Sequence, residues 1–457
     1  MSNDGPQENT SKPFSEGNLW AASIWCVIAA FGTYFSMYFF RKPFAACKYD
    51  GLALWGTDYK TILVSAQVLG YTLSKFFGIK VIAELHPQRR IAGIILLIAI
   101  AEAALLGFAL TPPPYSFVFL FLNGLPLGMV FGMVLAFLEG RRVTELLTAG
   151  LCASFILADG AAKSLGAYLL NWHLSEAWMP CIAGLIAVVP MTVFIWMLAQ
   201  VPPPSLGDVA QRSARAPMDA GERWRFFWSY ALGLTALLLM YMLITVLRSI
   251  RSDYAVEIWS GLLGEKAATP PQVFTSSEIV VALMVMLANG LCFLIRDNRR
   301  AFFVGLAIGG CGTALVLGSV AGLHFGLLNG FAFMVLVGIG LYLPYVAIHT
   351  TIFERLIAMT RDHGNLGYLM YLADAFGYLG YPIFMLLCRP LFGRVDALRL
   401  FMATCLVMAL FSLACILSAA VYFRNVGLRT VREPLIPLSI SQDKQSDKAT
   451  SANAYVR

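Results

Sequence analysis

Long apolar runs alternate with short polar breaks along this chain, and each run is about as long as a bilayer is thick. The runs lie at about 19–48, 59–80, 91–111, 115–138, 147–170, 178–200, 226–252, 277–296, 301–323, 327–352, 366–388 and 400–423. A helix of about 20 apolar residues crosses the hydrocarbon core. Inside lipid every backbone N–H and C=O needs a partner within the protein, which leaves helices or closed barrels. Continuous runs of this length lack the two-residue alternation of barrel strands. The expected fold class is therefore an all-α integral membrane protein with about 12 transmembrane helices. Composition agrees, since only 13% of the 457 residues are charged, against roughly 25% in soluble chains. Little sequence is left over for a soluble domain.

Six runs, a polar stretch and six more runs make a two-fold layout. The expected organisation is a cytoplasmic tail over 1–18, a six-helix bundle over 19–200, a cytoplasmic linker over 201–223, a second bundle over 224–425 and a disordered tail over 426–457. The halves echo each other. Leu157-Ala158-Asp159 in the fifth run matches Leu372-Ala373-Asp374 in the eleventh, and Phe137, Glu139 and Arg141 match Phe353, Glu354 and Arg355. Echoes at corresponding runs favour an internal repeat. The first run follows a polar start and has no A-x-A-like site behind it, so it reads as an uncleaved span.

Orientation follows from lysine and arginine in the loops. Lys80, Arg89, Arg90, Arg141, Arg142, Arg212, Arg215, Arg223, Arg296, Arg299 and Arg300 fall in the even loops, and Arg424, Arg429 and Arg432 follow the last run. Both termini are expected in the cytoplasm, with a bacterial inner membrane as the setting. The net charge of +7 is explained by these membrane edges and calls for no nucleic acid.

Nine cysteines and five histidines are scattered without metal-ligand spacing. The cysteines read as small core residues. No Ser/His/Asp set, metal-spaced cluster or nucleotide loop appears, so neither enzyme chemistry nor a cofactor is expected. The expected partners are the bilayer and a small anionic ligand, with no obligatory protein partner.

Charges within the apolar runs carry the functional information, because a charge at a helix centre costs roughly 2.5–3.5 kcal/mol on insertion scales. The candidates are Arg41, Lys42, Lys75, Glu102, Asp159, Lys163, Arg248, Arg251, Asp253 and Asp374. Tyr34, Tyr38 and Arg41 share one helical face, as do Gln67, Tyr71 and Lys75. Tyr241 and Thr245 share the face of Arg248. Apolar residues beyond Arg41 (Phe44, Ala45, Ala46) suggest that the first helix continues past it. Asp159 and Lys163 are spaced to form an i, i+4 pair. Asp374, between Tyr371 and Tyr378, has no cation on its own helix, so it either pairs across the bundle or carries a proton. Glu102 reads as a polar packing residue. Headgroup anchoring is the competing reading for Arg41, Lys75 and Arg248. Arginine suits bidentate recognition of phosphate or carboxylate, and one arginine on the first helix of each half would place two guanidiniums across the pseudo-two-fold axis.

At these residues the chain resembles the organophosphate:phosphate antiporters of the major facilitator superfamily. Tyr34 to Phe44, with Arg41-Lys42 before an aromatic, is similar to that family's first-helix motif. Gly70-Tyr71 through Ser74-Lys75-Phe76 is similar to its second helix, Leu247-Arg248 with Asp253 to its seventh, and Phe376-Gly377-Tyr378-Leu379-Gly380 to its eleventh. The resemblance implies the major facilitator fold. It also implies that Arg41 and Arg248 hold phosphate, that Lys75 adds positive charge, and that Tyr34, Tyr38 and Tyr378 line the site. The chain departs from the family at Asp159 to Gly166, which lacks the histidine of glycerol-phosphate carriers and offers Lys163 nearby. It departs again at Glu84, where the family has aspartate, and across Phe137 to Arg142.

The resulting expectation is a secondary carrier of a small organic anion, a phosphorylated metabolite exchanged for phosphate, working by alternating access. The rival readings are a proton-coupled symporter or exporter with Asp159 or Asp374 as the proton site, and a receptor that kept the carrier fold.

Overall fold

The structure is a computed structural model, and it describes residues 19–84, 87–138, 144–201, 220–264, 269–292, 294–360, 366–388 and 396–432. The expected tail over 1–18, residues 433–457 of the expected C-terminal tail, most of the 201–223 linker with Arg212 and Arg215, and the loop with Glu139, Arg141 and Arg142 lie outside these residues. Twelve long helices run through the described chain. They are α1 Leu19–Met37, α2 Tyr59–Glu84, α3 Arg90–Leu110, α4 Phe117–Leu138, α5 Thr144–Asn171, α6 Met179–Ala199, α7 Ala231–Asp253, α8 Gln272–Cys292, α9 Asn298–His324, α10 Gly330–Thr360, α11 Leu366–Leu387 and α12 Ala397–Arg432. Nine of them are long and apolar enough to cross a membrane on their own. The other three are α1, α2 and α5; α2 carries Lys60 and Lys75, and α5 carries Asp159 and Lys163.

Helix packing repeats with a shift of six. α1 lies on α4, α5 and α6, as α7 lies on α10, α11 and α12. α4 packs on α2 and α3, as α10 packs on α8 and α9, and α3 meets α6 as α9 meets α12. The two halves join through α5 on α8 and through α2 on α11, and these contacts exchange under the same shift. Two six-helix bundles therefore face each other about a pseudo-two-fold axis. Helices without a hydrophobic drive to associate approach closely through small residues. A Cβ on Gly124 would collide with the Gln67 carbonyl oxygen on α2, and one on Gly160 would collide with the Phe274 carbonyl oxygen on α8.

Two expectations change. The first helix does not continue regularly past Arg41. Its α-helix ends at Met37, and 3-10 turns follow at Tyr38–Phe40 and Pro43–Ala46. Pro43 has no N–H to continue an α-helix. At the other end, α12 runs on to Arg432, beyond the expected boundary at 425. Most cysteines are buried, but Cys311 is exposed.

Candidate functional site

The unwound end of α1 is held by polar side chains from its neighbours. Broken backbone at membrane depth survives only where protein satisfies its carbonyls. Asn123 Nδ2 on α4 donates to the Phe40 carbonyl oxygen at 3.1 Å, and Gln67 Nε2 on α2 donates to the Arg41 carbonyl oxygen at 2.9 Å. Gln67 also donates to Asn123 Oδ1 at 2.9 Å, so the two amides fix each other. This frame sets Arg41 facing Tyr71 of α2, with its guanidinium 3.9 Å from the ring centroid. Tyr38 lies 5.8 Å away, and Tyr34 packs edge-on against Tyr38 and Phe131.

Arg248 lies within α7, the first helix of the second half. Its guanidinium sits 4.4 Å over Tyr345 of α10, and its Nη2 lies 3.5 Å from the Tyr378 hydroxyl of α11. Tyr378 packs against Tyr71 with ring centroids 4.9 Å apart and planes tilted by 56°. A contact pair of two tyrosines, one from each half, thus stands between the two arginines. Both arginines are buried, at 5% and 8% exposure, and the Nε of each has no hydrogen-bond partner.

The other buried cations differ from these two. Among the described residues seven Lys and Arg side chains are buried. Lys42 pairs with Asp253 at 2.5 Å, Lys60 with Glu257 at 2.6 Å, Lys75 with Asp374 at 3.0 Å, Lys163 with Asp159 at 2.6 Å and Arg251 with Glu278 at 2.7 Å. Arg41 and Arg248 are the two with no carboxylate. Burying an unpaired charge is costly, and cation–π contact with tyrosine offsets only part of that cost.

The expected i, i+4 pair Asp159–Lys163 forms, and it belongs to a larger junction. Ser252 Oγ on α7 donates to Asp159 Oδ1 at 2.7 Å, and Lys163 Nζ donates to the Ser252 carbonyl oxygen at 2.9 Å. Thr61 and Tyr254 share a hydroxyl bond at 2.7 Å. These contacts link the halves at the end where α1, α5 and α7 finish. Asp374 does pair across the bundle. Beyond Lys75 it accepts from Tyr241 at 2.7 Å and lies 3.4 Å from His349 Nε2. The ammonium of Lys75 is therefore committed to Asp374 within a cage of Tyr71, Phe131 and Tyr378, one step away from the arginines. Glu102 lies apart and accepts from the Cys181 thiol at 3.3 Å.

Sequence reasoning did not find Tyr345 or His349. His349 carried a usable signal, because a lone ionisable residue late in an apolar run marks an interior position. Two grooves, one lined by Phe31, Phe35 and Phe194 and the other by Phe77, Leu97 and Ile100, include neither arginine and no other charged residue in their lining. No group of three or more potential metal ligands occurs among the described residues.

The fold has solved counterparts. A crystal structure of a D-xylose-proton symporter superposes with a TM-score of 0.57 at 10% sequence identity, covering 86% of this chain and 97% of that one. At that identity the likeness concerns the fold, which is the major facilitator fold of a multi-pass membrane protein. No curated protein matches the sequence. A family model described as a family of unknown function (DUF5690) matches residues 43–426. That match spans both bundles from just after Arg41 to near the end of α12, so the chain belongs to the DUF5690 family.

Proposed function

We propose that the protein is a secondary carrier of a small anion that binds between Arg41 and Arg248 and crosses the membrane by alternating access. The observation that carries this reading is the charge balance of the interior. Five buried cations have carboxylate partners, and the two left without one, one from each half, lie on either side of the Tyr71–Tyr378 pair. A ligand oxyanion would supply the missing charge and satisfy the two orphaned Nε–H groups. Tyr34, Tyr38 and Tyr378 would border it, with Lys75 acting through Tyr378 and Asp374. The resemblance to organophosphate:phosphate antiporters favours a phosphorylated metabolite exchanged for phosphate. The loop charges favour cytoplasmic termini in an inner membrane, with bundles over 19–200 and 224–425.

Proton coupling is the second reading, and it is favoured by Asp374, which sits between a lysine, a tyrosine and a histidine. The test is uptake of labelled phosphate, glycerol phosphate, hexose phosphate and citrate into proteoliposomes, together with thermal stabilisation of the purified chain by each. Saturable flux of one anion, competed by its analogues, is expected. Stabilisation without flux for any of them would leave the receptor reading in its place, and neither would remove the anion site.

A further inference from the structure

We propose that His349 is a proton-binding site that controls the Lys75–Asp374 contact between the halves and couples protonation to the anion site at Arg248. The coupling half rests on the carrier reading above. His349 lies in the π-helical segment Ile348–Ile352 of α10, and single π turns inside helices occur often at functional sites. Its Nδ1 is 2.9 Å from the Tyr345 carbonyl oxygen one turn back. A carbonyl can only accept, so in the neutral ring the proton sits on Nδ1 and Nε2 presents a lone pair. That lone pair faces Asp374 Oδ1 at 3.4 Å and the Tyr241 hydroxyl at 3.5 Å. Tyr241 already gives its proton to Asp374, so it cannot also satisfy Nε2. The ring thus has one vacant basic nitrogen held against a carboxylate, which is where an added proton makes a charge-assisted bond.

The surroundings define what that proton does. Tyr241 comes from α7, Asp374 from α11 and Lys75 from α2, with Tyr345 one turn back on the same helix. Cys152 of α5 lies within electrostatic reach of Asp374. Glu354 and Arg355 follow on α10, where Arg355 turns away to Asn298. The buried acid of α8, Glu278, is bonded to Arg251, and the buried residues of α9 are uncharged. An imidazolium at His349 would share Asp374 with Lys75, and the ion pair joining α11 to α2 would weaken. The ring also packs at 4.8 Å on Tyr345, whose face carries Arg248 at 4.4 Å. The new charge therefore raises the positive potential at the Arg248 end of the anion site. Proton and anion then favour each other's binding, and the effect is reciprocal.

The test is a pH titration of the full chain in nanodiscs with isotope-labelled histidine, read by NMR, with the His349 signal assigned by its loss in His349→Gln. The expected result is a His349 signal that responds to pH. Asp374→Asn should change that response, because the carboxylate facing Nε2 is gone. Lys75→Met should change it as well, because the cation that shares Asp374 is gone. A signal that does not respond to pH, or a response indifferent to Asp374→Asn, overturns the assignment, and neither outcome depends on a transported substrate. Inorganic phosphate is then added to the same samples, with thermal stability followed in parallel. Stabilisation by phosphate together with a changed pH response of His349 supports the coupling. Stabilisation with an unchanged response overturns it. Absence of stabilisation by phosphate counts against phosphate as the anion and leaves the histidine titration standing on its own.

Discussion

Lys42 Nζ lies 2.5 Å from Asp253 Oδ1, and this contact joins the unwound end of α1 in one half to the last turn of α7 in the other. Lys42 also donates to Ser252 Oγ at 2.9 Å and lies 3.8 Å from Asp159. Lys60 and Glu257 add a second cross-half pair nearby. The junction is charged and buried, so it holds only while both partners are present. Removing one partner of a buried pair costs about 3–5 kcal/mol.

Asp253→Asn should therefore loosen this end of the molecule. Cys47, just beyond the second 3-10 turn, is 1% exposed. Its labelling by a membrane-impermeant maleimide, followed by peptide mass spectrometry, should rise at least tenfold in Asp253→Asn. Combining Asp253→Asn with Lys42→Gln should restore slow labelling, because the stranded charge is gone. An unchanged rate in the single variant would mean that the halves are held here by other contacts.

Lys75 and Asp374 make the cross-half pair on the other interface, α2 with α11. Asp374→Asn strands a buried ammonium and should lower thermal stability by about 3–5 kcal/mol. Adding Lys75→Gln should recover more than half of that loss, and a double-mutant cycle measures the coupling. Additive losses would show that the two side chains act independently.

The layout of the protein was legible in its sequence because lipid imposes a length on every span. All twelve apolar runs correspond to helices, and the echo of Asp159 with Asp374 marks two helices, α5 and α11, that each pack against a helix of the opposite half. Arg41 and Arg248 were legible as buried charges of equivalent helices. Their lack of partners was not, because pairing is set by tertiary contact. Lys75 and Asp374 are 299 positions apart, and no periodicity within one helix reports such a bond. The end of α1 at Met37 was missed for a related reason. The amides of Asn123 and Gln67 that make the broken backbone tolerable come from two other helices.

Topology has a direct test. The even-loop arginines predict cytoplasmic termini, and α3 and α4 would then meet on the outer side around Thr111–Tyr115. A reporter active only in the cytoplasm, fused after Arg457, should be active. One active only outside, inserted in the Thr111–Tyr115 turn, should be active as well. Reversal of both signals in a stably inserted protein would turn the orientation over and place the Lys42–Asp253 junction on the cytoplasmic side.

The arginines carry the sharpest expectation. Arg41 lies 3.9 Å over Tyr71 and Arg248 lies 4.4 Å over Tyr345, and a planar guanidinium uses its face for the ring and its edge for an oxyanion. Lysine keeps the charge but loses both the stacking and the two-pronged edge. A charge-assisted hydrogen bond is worth roughly 1.5–3 kcal/mol, or about a 10- to 150-fold change in affinity. Arg41→Lys and Arg248→Lys should each weaken binding of the same anion by that factor, measured by thermal shift or calorimetry, while expression and folding in detergent are preserved. If both hold one ligand group, the double variant should lose less than the sum of the two. Neither arginine has a carboxylate to abandon, so these substitutions strand no buried acid and should leave stability nearly unchanged without ligand. Replacing Arg251, which holds Glu278 at 2.7 Å and donates to the Met334 carbonyl oxygen at 3.0 Å, should do the opposite and destabilise the fold. An Arg41→Lys or Arg248→Lys protein that binds and transports like the parent would make these two side chains anchors, and the anion reading would fall with them.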